Sequence, residues 1–440
     1  MNKKYHIWTS GCQMNVHDSE KIAGILSDSG YGNAGSFSNA NIIVLNTCSI
    51  REKAEQKFYS ELGRLEGMKK KRPDLKIAVA GCIAKQKGDK LFKRFPYIDF
   101  VFGPNNIDSV QGWIRSTDDA RRSTAVHDDP EYHRKKIPVK RAGGVRAWVS
   151  IMYGCDNFCA YCVVPYTRGR ERSRPSQDIY DEVASLAVQG FKEITFLGQN
   201  VNSYGRTFSD HVDFPDLLRM VHEIEGMQRV RFVTSHPRDI SEKLINTMRD
   251  LPKMCNHIHL PVQSASDRIL YLMNRGYSYQ DYKNKIDMLR DSIPDLAVTT
   301  DIITGFPGES EEDFQFTVKA LYDIEYDGIF AFKYSKRPDT KALSLPDHVD
   351  DHVKSRRLSE ILKIQEDITY KKNKLLEGKT LEVLVEGVSE TDSNKLTGRT
   401  RTNKIVNFPG NKSDIGEFVM TRILEAKLHS LHGEKVTGRE

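Results

Sequence analysis

The stretch at residues 154–162, Gly-Cys-Asp-Asn-Phe-Cys-Ala-Tyr-Cys, constrains this chain more than any other part of its sequence. Three residues separate Cys155 from Cys159, and two separate Cys159 from Cys162. A cube of iron and sulfide takes one thiolate per iron, so three thiolates leave one iron open to bind a substrate. A zinc site normally needs four ligands, and no fourth Cys or His stands at finger-like spacing beside these three. A zinc site and three unrelated loop thiols remain as alternatives.

Composition indicates the compartment and the number of domains. The chain has 440 residues, room for two or three domains, and its formal net charge of +6 permits an anionic partner without requiring one. Its seven cysteines, an odd number with several beside glycine, fit reduced thiols and metal ligation better than disulfides. The N-terminus lacks the apolar core of a signal peptide, and no run approaches the ~20 apolar residues of a membrane span. We therefore expect a soluble, cytoplasmic protein that does not enter a membrane.

Residues 1–115 read as an N-terminal α/β domain with a parallel sheet. Short apolar runs at residues 5–8, 42–45, 77–80 and 100–102 predict strands, and amphipathic patterns at residues 18–29 and 51–68 predict helices. Strand and helix in alternation favour a parallel sheet with covering helices.

Three more cysteines each follow one of these predicted strands: Cys12, Cys48 and Cys82. The carboxyl ends of parallel strands lie at one edge of a sheet, where open α/β sheets bind ligands. Gly11 and Gly81 would let the backbone approach a bulky group closely. The sequence therefore predicts a second cluster site at this edge. The alternative is that these are ordinary small, buried cysteines at strand ends.

Residues 116–146 are polar, basic and punctuated by glycine, so we predict a mobile linker whose charges are solvated or contact nucleic acid. The next domain, residues 147–372, contains six strand-like runs, at residues 147–152, 194–197, 230–233, 257–261, 297–303 and 329–332. Helical patterns, such as those at residues 181–188 and 314–324, separate these runs. Six such units predict a partial (βα)6 barrel with its active site at the carboxyl ends of the strands.

Polar side chains at these strand ends are candidate site residues. Gln199 and Asn200 follow the second strand, and Gln263 follows the fourth. All three side chains offer uncharged hydrogen-bond donors and acceptors. His236, after the third, is as well explained by packing as by ligand binding. Cys255 stands outside both cysteine trios, and we interpret it as an ordinary structural thiol.

Basic residues occur at two further places. Arg168 and Arg170 follow the central cysteines and suit phosphate oxygens, although a solvated, salt-bridged loop explains them equally well. Residues 374–440 alternate at period two and predict a small antiparallel β-barrel. Its basic and aromatic residues, Arg399, Arg401 and Lys404 among them, suit RNA or an ordinary solvated surface.

Together these motifs resemble the radical S-adenosylmethionine (SAM) methylthiotransferases. Cys155, Cys159 and Cys162, with Tyr161 before the last, resemble the radical SAM motif. Residues 10–15, 46–54 and 81–82 resemble the family's N-terminal domain, and residues 398–408 resemble its TRAM domain. The resemblance covers nearly the whole chain, in three domains in the family's order.

The resemblance implies two [4Fe–4S] clusters and SAM as cofactors. The open iron of the Cys155–Cys159–Cys162 cluster would bind SAM and cleave it to a 5′-deoxyadenosyl radical. An auxiliary cluster on Cys12, Cys48 and Cys82 would carry the sulfur that is attached to the substrate. The implied SAM-contacting residues are Tyr161, Gln199, Asn200, Ser235, Gln263 and Asp301. The implied partners are the tRNA anticodon stem-loop and an electron donor such as flavodoxin or ferredoxin, and we expect a monomer.

Residues 48–54 and 334–338 resemble the branch that methylthiolates N6-isopentenyladenosine in tRNA, and they add Arg337 as a candidate RNA contact. Sister branches act on N6-threonylcarbamoyladenosine in tRNA or on an aspartate of a ribosomal protein. Asp339 and Ala265 stand where the family favours glycine. An iron–sulfur protein that binds RNA or carries electrons without catalysis is the alternative from another class.

Overall fold

The computed structural model describes residues 3–48, 52–116, 122–141, 143–208 and 212–436, with residues 52–54 described in backbone only. Within these ranges the strands are β1 (Lys4–Ser10), β2 (Gly32–Asn33), β3 (Ile42–Thr47), β4 (Lys76–Gly81), β5 (Phe100–Phe102), β6 (Ser123–Ala125), β7 (Arg146–Ser150), β8 (Met152–Tyr153), β9 (Arg172–Ser173), β10 (Glu193–Leu197), β11 (Arg229–Phe232), β12 (His257–His259), β13 (Ala297–Thr304), β14 (Gly328–Lys333), β15 (Thr380–Val388), β16 (Lys395–Thr400), β17 (Ile405–Pro409), β18 (Phe418–Ala426) and β19 (Leu431–Lys435). The α-helices of the same ranges are α1 (Gln13–Asp28), α2 (Glu52–Lys71), α3 (Cys82–Lys87), α4 (Lys90–Arg94), α5 (Ser109–Arg115), α6 (Val164–Thr167), α7 (Ser176–Val188), α8 (Phe214–His222), α9 (Glu242–Asp250), α10 (Asp267–Leu272), α11 (Tyr279–Ser292), α12 (Glu311–Ile324) and α13 (Asp351–Lys374).

The chain divides into two compact units. The first unit comprises Met1–Ala142, Met152–Asp156 and Cys162–Pro175. The second comprises Gly143–Ile151, Asn157–Tyr161 and Ser176–Glu440. None of the described helices is long and apolar enough to cross a membrane.

The first unit is built on a six-stranded sheet in the order β2-β1-β3-β4-β5-β6. Every neighbouring pair in it is parallel, which confirms the predicted parallel sheet. The β3 and β4 strands are almost wholly buried, and residues such as Leu45, Phe58, Ile77 and Val101 form the core beside them. Burial on both faces is typical of parallel sheets covered by helices.

Helix α1 begins five residues before the predicted start at residue 18. Cys12 is its N-cap, with extended backbone at φ −97° and ψ 175°. The Asn15 side chain, three residues on, accepts a hydrogen bond from the Cys12 backbone N–H at 3.4 Å. The prediction followed the apolar positions of the later turns, whereas the residues that α1 buries near its start include the polar Asn15, His17 and Asp18, which leave no apolar periodicity.

The predicted mobile linker is wrong for residues 122–141, which pack onto the first unit. Strand β6 pairs with β5, Tyr132 is buried, and the Lys140 N–H donates to the Glu20 carbonyl at 2.9 Å. These contacts use backbone groups and one aromatic ring, so the polar sequence gave no sign of them. Residues 117–121 and 142 of that prediction, and residues 49–51 of the family-like segment after Cys48, lie outside the described residues.

The second unit contains the predicted partial barrel. Its six strands form two three-stranded parallel sheets, β11-β10-β7 and β12-β13-β14. Along β13, Thr300, Ile302 and Thr304 are buried while the intervening residues are half-buried. The Thr304 hydroxyl lies 3.5 Å from a carbonyl of α13, so this buried face is the one that the helices cover. The opposite face of β13 and β14 is the inner face of the barrel.

A closed barrel, β15-β16-β17-β19-β18, completes the second unit. It is antiparallel as predicted except between β17 and β19, which pair in parallel. Five strands are an odd number, so a ring of alternating strand directions cannot close without one parallel pair.

Candidate active site

The sheet edge of the first unit brings Cys12, Cys48 and Cys82 together. Ser10 on β1 is in register with Thr47 on β3, and Thr47 is in register with Gly81 on β4. Each cysteine lies one or two residues beyond these positions. The Cys48 thiol hydrogen-bonds with the thiols of both Cys12 and Cys82. We call this group the N-terminal cysteine site.

Two glycines let the backbone approach this site. A Cβ on Gly11 would lie 2.6 Å from the Cys48 Cβ, and Gly11 has φ +146°. A Cβ on Gly81 would lie 2.5 Å from the Thr47 carbonyl oxygen, and Gly81 adopts φ 91° and ψ −160°, which is open essentially to glycine alone. The sequence predicts both glycines in this role.

The thiols of the N-terminal cysteine site differ in acidity. The Cys48 hydrogen bond lowers the pKa of Cys12 to about 6 and that of Cys82 to about 7. The positive charge of Arg168 lowers both pKa values further, against burial, which raises them. The pKa of Cys48 is raised by its bonds to the other two thiols and by burial. Thiolates are the metal-binding form of cysteine, so this environment favours ligation.

The donor set suits a cluster. Among the described residues, no group of three or more His, Cys, Asp and Glu side chains could hold a single metal ion. A cluster is a different target, because each thiolate bonds a different iron. Three thiols at one sheet edge, with glycine backbone beside them, are the donors that a [4Fe–4S] cluster takes.

In the first unit, Cys155 is buried and its N–H donates to the Gly169 carbonyl at 3.2 Å. The preceding Gly154 has φ +74°, and a Cβ there would lie 2.0 Å from the Arg170 carbonyl oxygen. Asp156 then accepts hydrogen bonds from Arg170 Nε at 2.7 Å and from the Glu171 N–H at 3.1 Å. The loop that carries Cys155 is therefore fixed by its own unit. Cys162, also in the first unit, is half-buried.

In the second unit, Arg275 contacts Cys159 and Tyr161. This buried guanidinium donates from Nη1 to Cys159 Sγ and to the Tyr161 hydroxyl, both at 3.3 Å. Its Nη2 donates to the Pro261 carbonyl at 2.9 Å, and its Nε donates to the Tyr277 hydroxyl at 3.0 Å. The sequence does not single out Arg275, because this residue lies 116 residues from Cys159 in a loop with no periodic pattern.

Buried polar atoms collect at the strand ends of the second unit. Six of them have no hydrogen-bond partner in the part of the chain that the structure describes. They are Gln199 Oε1, Asn200 Oδ1, Ser235 Oγ, Gln263 Oε1 and both ring nitrogens of His236. Buried polar atoms are nearly always paired in native proteins, so a group of orphans points to a ligand. SAM, with amino, carboxylate, hydroxyl and adenine groups, suits these donors and acceptors.

Backbone strain marks the same loops. Thr234, just before Ser235, has φ +73°, and Gln263 has φ +70°. A positive φ is rare for any residue other than glycine, and it is a genuine outlier for a β-branched one. Such strain clusters at functional sites. Burial, with the nearby positive charge of Arg275, lowers the pKa of His236 to about 2, so its ring is neutral.

Asp301 lies on the inner face of the partial barrel. His259 Nε2 lies 3.4 Å from its Oδ1. Phe330 on β14 is in register with Asp301, and Phe332 with Ile303. The two rings are 53% and 39% exposed, and Phe330 packs edge-on against His259 at a centroid distance of 5.7 Å. This inner face therefore joins a carboxylate to two accessible aromatic rings.

Comparison with known proteins identifies the family. Three family models match the chain: "Uncharacterized protein family UPF0004" over residues 4–103, the Radical SAM superfamily over residues 149–321, and the TRAM domain over residues 374–436. A "tRNA-2-methylthio-N(6)-dimethylallyladenosine synthase" of Thermodesulfovibrio yellowstonii is 51% identical, with 98% of each chain covered. Synthases of that name from Syntrophus aciditrophicus and Caldicellulosiruptor saccharolyticus are 49% and 48% identical, over 99% of this chain and 95% and 93% of theirs.

The chain belongs to the tRNA-2-methylthio-N(6)-dimethylallyladenosine synthase family. Among solved structures, the radical SAM methyltransferase TsrM from Kitasatospora setae, with cobalamin and a [4Fe–4S] cluster bound, is similar with a TM-score of 0.57. The two chains are 14% identical, and the match covers 78% of this chain and 77% of that one. This likeness concerns the fold alone.

Several predicted RNA contacts of this synthase-family chain have other partners. Arg168 is 4% exposed and pairs with Asp18 inside the first unit, so the prediction that it contacts RNA is wrong. Arg399 pairs with Glu386 at 3.2 Å within the C-terminal barrel. In the second unit, Arg401 donates to the Pro252 and Met254 carbonyls, and Lys404 lies 3.6 Å from the Asp327 carboxylate. Sequence patterns show where charges occur but not which internal acceptors they reach.

The remaining candidates stay predictions. The exposed Arg170 is held by Asp156, and Arg337 is half-buried. Asp339, at a position where the resemblance predicts glycine, adopts φ +66°. Aspartate tolerates this left-handed conformation better than most residues, so the loop keeps the backbone that glycine would allow. Cys255 is buried, and burial raises its pKa, which fits a structural thiol.

Proposed function

We propose that the protein is a tRNA methylthiotransferase that converts N6-isopentenyladenosine beside the anticodon to its 2-methylthio derivative. The observation that carries this proposal is the 51% identity, over 98% of both chains, with a synthase named for that product. The chain supplies six thiols for the two proposed clusters: Cys12, Cys48, Cys82, Cys155, Cys159 and Cys162. The alternatives within the wider family are threonylcarbamoyladenosine in tRNA and a ribosomal aspartate.

In this proposal Cys155, Cys159 and Cys162 hold the cluster that binds SAM. With both clusters and SAM bound, the cofactors supply a carbon radical able to remove hydrogen from the unactivated adenine C2, together with the sulfur and the methyl group. The protein positions and shields these groups. Arg275 orients Cys159 and Tyr161.

The orphaned polar atoms of the second unit support a SAM position at the strand ends. The free amide oxygens of Gln199, Asn200 and Gln263 would accept hydrogen bonds from the amino group and the ribose hydroxyls, and the free Ser235 hydroxyl would donate to the carboxylate. Asn200 is oriented for this by its Nδ2, which donates to Asp239 at 2.7 Å. The neutral His236 would accept or donate one hydrogen bond without adding charge. Tyr161 and Asp301 complete the proposed SAM contacts.

The second cluster is proposed to lie at the N-terminal cysteine site. Two observations support it: the three thiols converge, and Gly11 and Gly81 leave no room for side chains beside them. The proposal therefore assigns two clusters to each chain.

The inner face of the partial barrel supports the isopentenyl branch. Phe330 and Phe332 offer an accessible apolar surface, and a dimethylallyl group is wholly apolar. A threonylcarbamoyl group carries a carboxylate, which an aromatic surface beside Asp301 would not favour.

The remaining parts of the proposal concern partners. The tRNA anticodon stem-loop is the proposed partner, through the TRAM domain and through Arg170 and Arg337. An electron donor such as flavodoxin or ferredoxin, a monomeric state and a cytoplasmic location complete the proposal.

Separating SAM cleavage from thiomethylation tests the assignment of the two clusters. Cys12→Ala should still cleave SAM but should form no 2-methylthio product, whereas Cys159→Ala should lose both reactions. Cys255→Ala, which removes a buried thiol outside both sites, is the control and should retain both. Nucleoside mass spectrometry and 5′-deoxyadenosine quantification give the two readouts. Full thiomethylation by Cys12→Ala would contradict the second cluster, and absence of SAM cleavage in the wild type would favour a non-catalytic iron–sulfur protein.

A further inference from the structure

A cavity of about 280 Å³ lies within the second unit, between α13 and the C-terminal barrel. Five residues of α13 line it: Leu362, Gln365, Glu366, Thr369 and Asn373. Their spacing places them on one face of the helix. The turns between β16 and β17 and between β18 and β19 line it from the barrel, and the start of β14 lines it as well. We call this space the α13 cavity.

Two buried amides in the wall of the α13 cavity each keep an unused acceptor. Gln365 and Asn373 are 4% and 2% exposed. Gln365 Nε2 donates to the Tyr326 carbonyl at 2.7 Å and to the Thr369 hydroxyl at 2.9 Å. Asn373 Nδ2 donates to two backbone carbonyls of the β18–β19 turn at 2.9 and 3.1 Å. Both protons of each amide nitrogen are thus engaged, whereas Gln365 Oε1 and Asn373 Oδ1 have no partner among the described residues. Buried acceptors are nearly always satisfied, so these two point to a ligand that brings hydrogen-bond donors.

The charged groups of the cavity wall favour a neutral ligand. Lys404 lies 3.6 Å from the Asp327 carboxylate, and Arg399 pairs with Glu386 at 3.2 Å. These two cations are offset by carboxylates, and the exposed Glu366 adds a negative charge. A phosphate placed here would lose its hydration without gaining an uncompensated cation from either side chain.

Apolar side chains complete the wall. Leu362 is 40% exposed, and Ile329 and Ile405 also line the cavity. A nucleoside combines what these walls require, because its base has a flat apolar face and its amino group and ribose hydroxyls donate hydrogen bonds. The volume is close to the lower end of the range for ligand pockets, which suits one nucleotide better than a larger ligand.

The α13 cavity is separate from the place proposed for the target adenosine. Gly328, at the start of β14, lines the cavity, whereas Lys333 ends the strand at the carboxyl edge of the partial barrel. Successive residues of a strand advance by about 3.3 Å, so the two positions are about 16 Å apart. A stacked nucleic-acid strand covers that distance in about five nucleotides. One RNA strand that occupies both places therefore uses two different nucleotides.

We propose that the α13 cavity binds one nucleotide of the tRNA other than the target adenosine. The ribose 2′-hydroxyl and an amino group of its base donate to the two unused oxygens, Gln365 Oε1 and Asn373 Oδ1. The inference rests on the proposed tRNA substrate and adds to it a second contact, which the partial barrel and the C-terminal barrel make together. Binding is non-covalent, and the contact positions the RNA along the second unit.

The test measures RNA binding by the full-length, anaerobically reconstituted protein. The probe is a fluorescently labelled anticodon stem-loop RNA that carries isopentenyladenosine, and its Kd is measured by fluorescence anisotropy at one salt concentration. Leu362→Trp places an indole in the cavity. Leu375→Trp is the matched control, because it makes the same exchange at the α13 C-cap, at a leucine that is 66% exposed and does not line the cavity. Glu366→Trp is a second filling variant, at an exposed position where loss of the carboxylate alone would strengthen RNA binding.

We expect Leu362→Trp and Glu366→Trp each to raise the Kd about 10-fold or more, because the indole displaces a nucleotide that is held by apolar contacts and hydrogen bonds. Leu375→Trp should bind as the wild type does. Stem-loops with single 2′-deoxy substitutions should reveal one position, other than the target adenosine, at which the Kd of the wild type rises about 5-fold. That rise should vanish in Leu362→Trp.

The outcomes separate the two proposals. If the wild type does not bind the stem-loop, the tRNA partner and with it the proposed function are contradicted. If the wild type binds and both filling variants bind as tightly, the α13 cavity alone is overturned, and a cavity that takes a free nucleotide gives this same result. An equal loss of affinity in Leu375→Trp, or a 2′-deoxy effect that persists in the filling variants, also overturns it.

A thermal unfolding curve of each variant checks the fold. If Leu362→Trp unfolds at a lower temperature than the wild type, Glu366→Trp decides. A weaker Kd together with loss of the 2′-deoxy effect in Glu366→Trp supports the proposal, and an unchanged Kd overturns it.

Discussion

Arg275 is the residue that links the chemistry of the second unit to its fold. Its guanidinium is buried and contacts Cys159, which is a proposed cluster ligand, two tyrosines and a backbone carbonyl. Hydrogen bonds to cluster sulfurs and nearby charge are among the factors that set the reduction potential of an iron–sulfur cluster. A fixed positive charge beside Cys159 would favour the reduced form of the proposed cluster, because that form carries the extra electron.

Replacing Arg275 with Gln should therefore lower the midpoint potential of the SAM-binding cluster and slow SAM cleavage about 10-fold or more, as loss of such supporting groups commonly does. EPR-monitored redox titration and 5′-deoxyadenosine quantification measure the two effects. Arg249→Gln, which removes an exposed arginine paired only with its neighbour Asp250, should leave both unchanged. An unaltered midpoint potential in Arg275→Gln would show that the charge of Arg275 does not affect the proposed cluster.

At the scale of elements, β14 presents opposite faces to different partners. On one side Lys333 pairs with Asp351 of α13, and on the other Phe330 packs against His259. Alternation along a strand separates the two faces, so β14 can cover the core with one face and offer apolar surface to a substrate with the other.

Replacing Phe330 with Ser should raise the KM for tRNA bearing isopentenyladenosine about 10-fold or more, since burying an aromatic side chain against a ligand contributes about 1.5–3 kcal/mol. SAM cleavage without tRNA should not change. Phe316→Ser, which alters a phenylalanine of α12 that is 47% exposed, serves as the control and should leave the KM unchanged. Equal KM values for the two variants would show that Phe330 of β14 does not contact the substrate.

At the scale of the whole molecule, a buried charge network holds the C-terminal barrel to the partial barrel within the second unit. Arg231 donates from Nε to Glu193 at 2.9 Å and from its two other nitrogens to the Thr400 and Arg401 carbonyls at 2.7 and 2.9 Å. Arg229 donates to Glu382 at 2.7 Å. These contacts join β10 and β11 to β15 and the end of β16.

Arg231→Met should lower the free energy of unfolding by about 3–5 kcal/mol, because it leaves the buried Glu193 without its nearest cation. The double variant Arg231→Met/Glu193→Gln should recover part of that loss, since no buried charge is left uncompensated there. Urea denaturation of Arg231→Met, of Glu193→Gln and of the double variant measures the coupling free energy between the two side chains. Additive effects would mean that the two side chains do not act as a pair.

The sequence predicted what depends on local pattern. Period-two and helical spacing located the strands, and the parallel arrangement then placed Cys12, Cys48 and Cys82 at one edge before any contact was known. It did not predict the ion pair of Arg168 or the contacts of Arg275, because each of these residues reaches a partner more than 100 residues away, and long-range side-chain pairing leaves no periodic signal. It also misread residues 122–141, which pack through backbone hydrogen bonds and through ion pairs such as Lys135–Asp108, none of which leaves a periodic signal.

One measurement tests the central claim most directly. The protein is reconstituted anaerobically with iron and sulfide, reduced with dithionite, and given SAM and tRNA bearing isopentenyladenosine, and the digested nucleosides are analysed by mass spectrometry. We predict 2-methylthio-N6-isopentenyladenosine together with 5′-deoxyadenosine. Cleavage of SAM with the adenosine unchanged would contradict the proposed substrate, and the threonylcarbamoyl tRNA and the ribosomal protein would then be tried in its place.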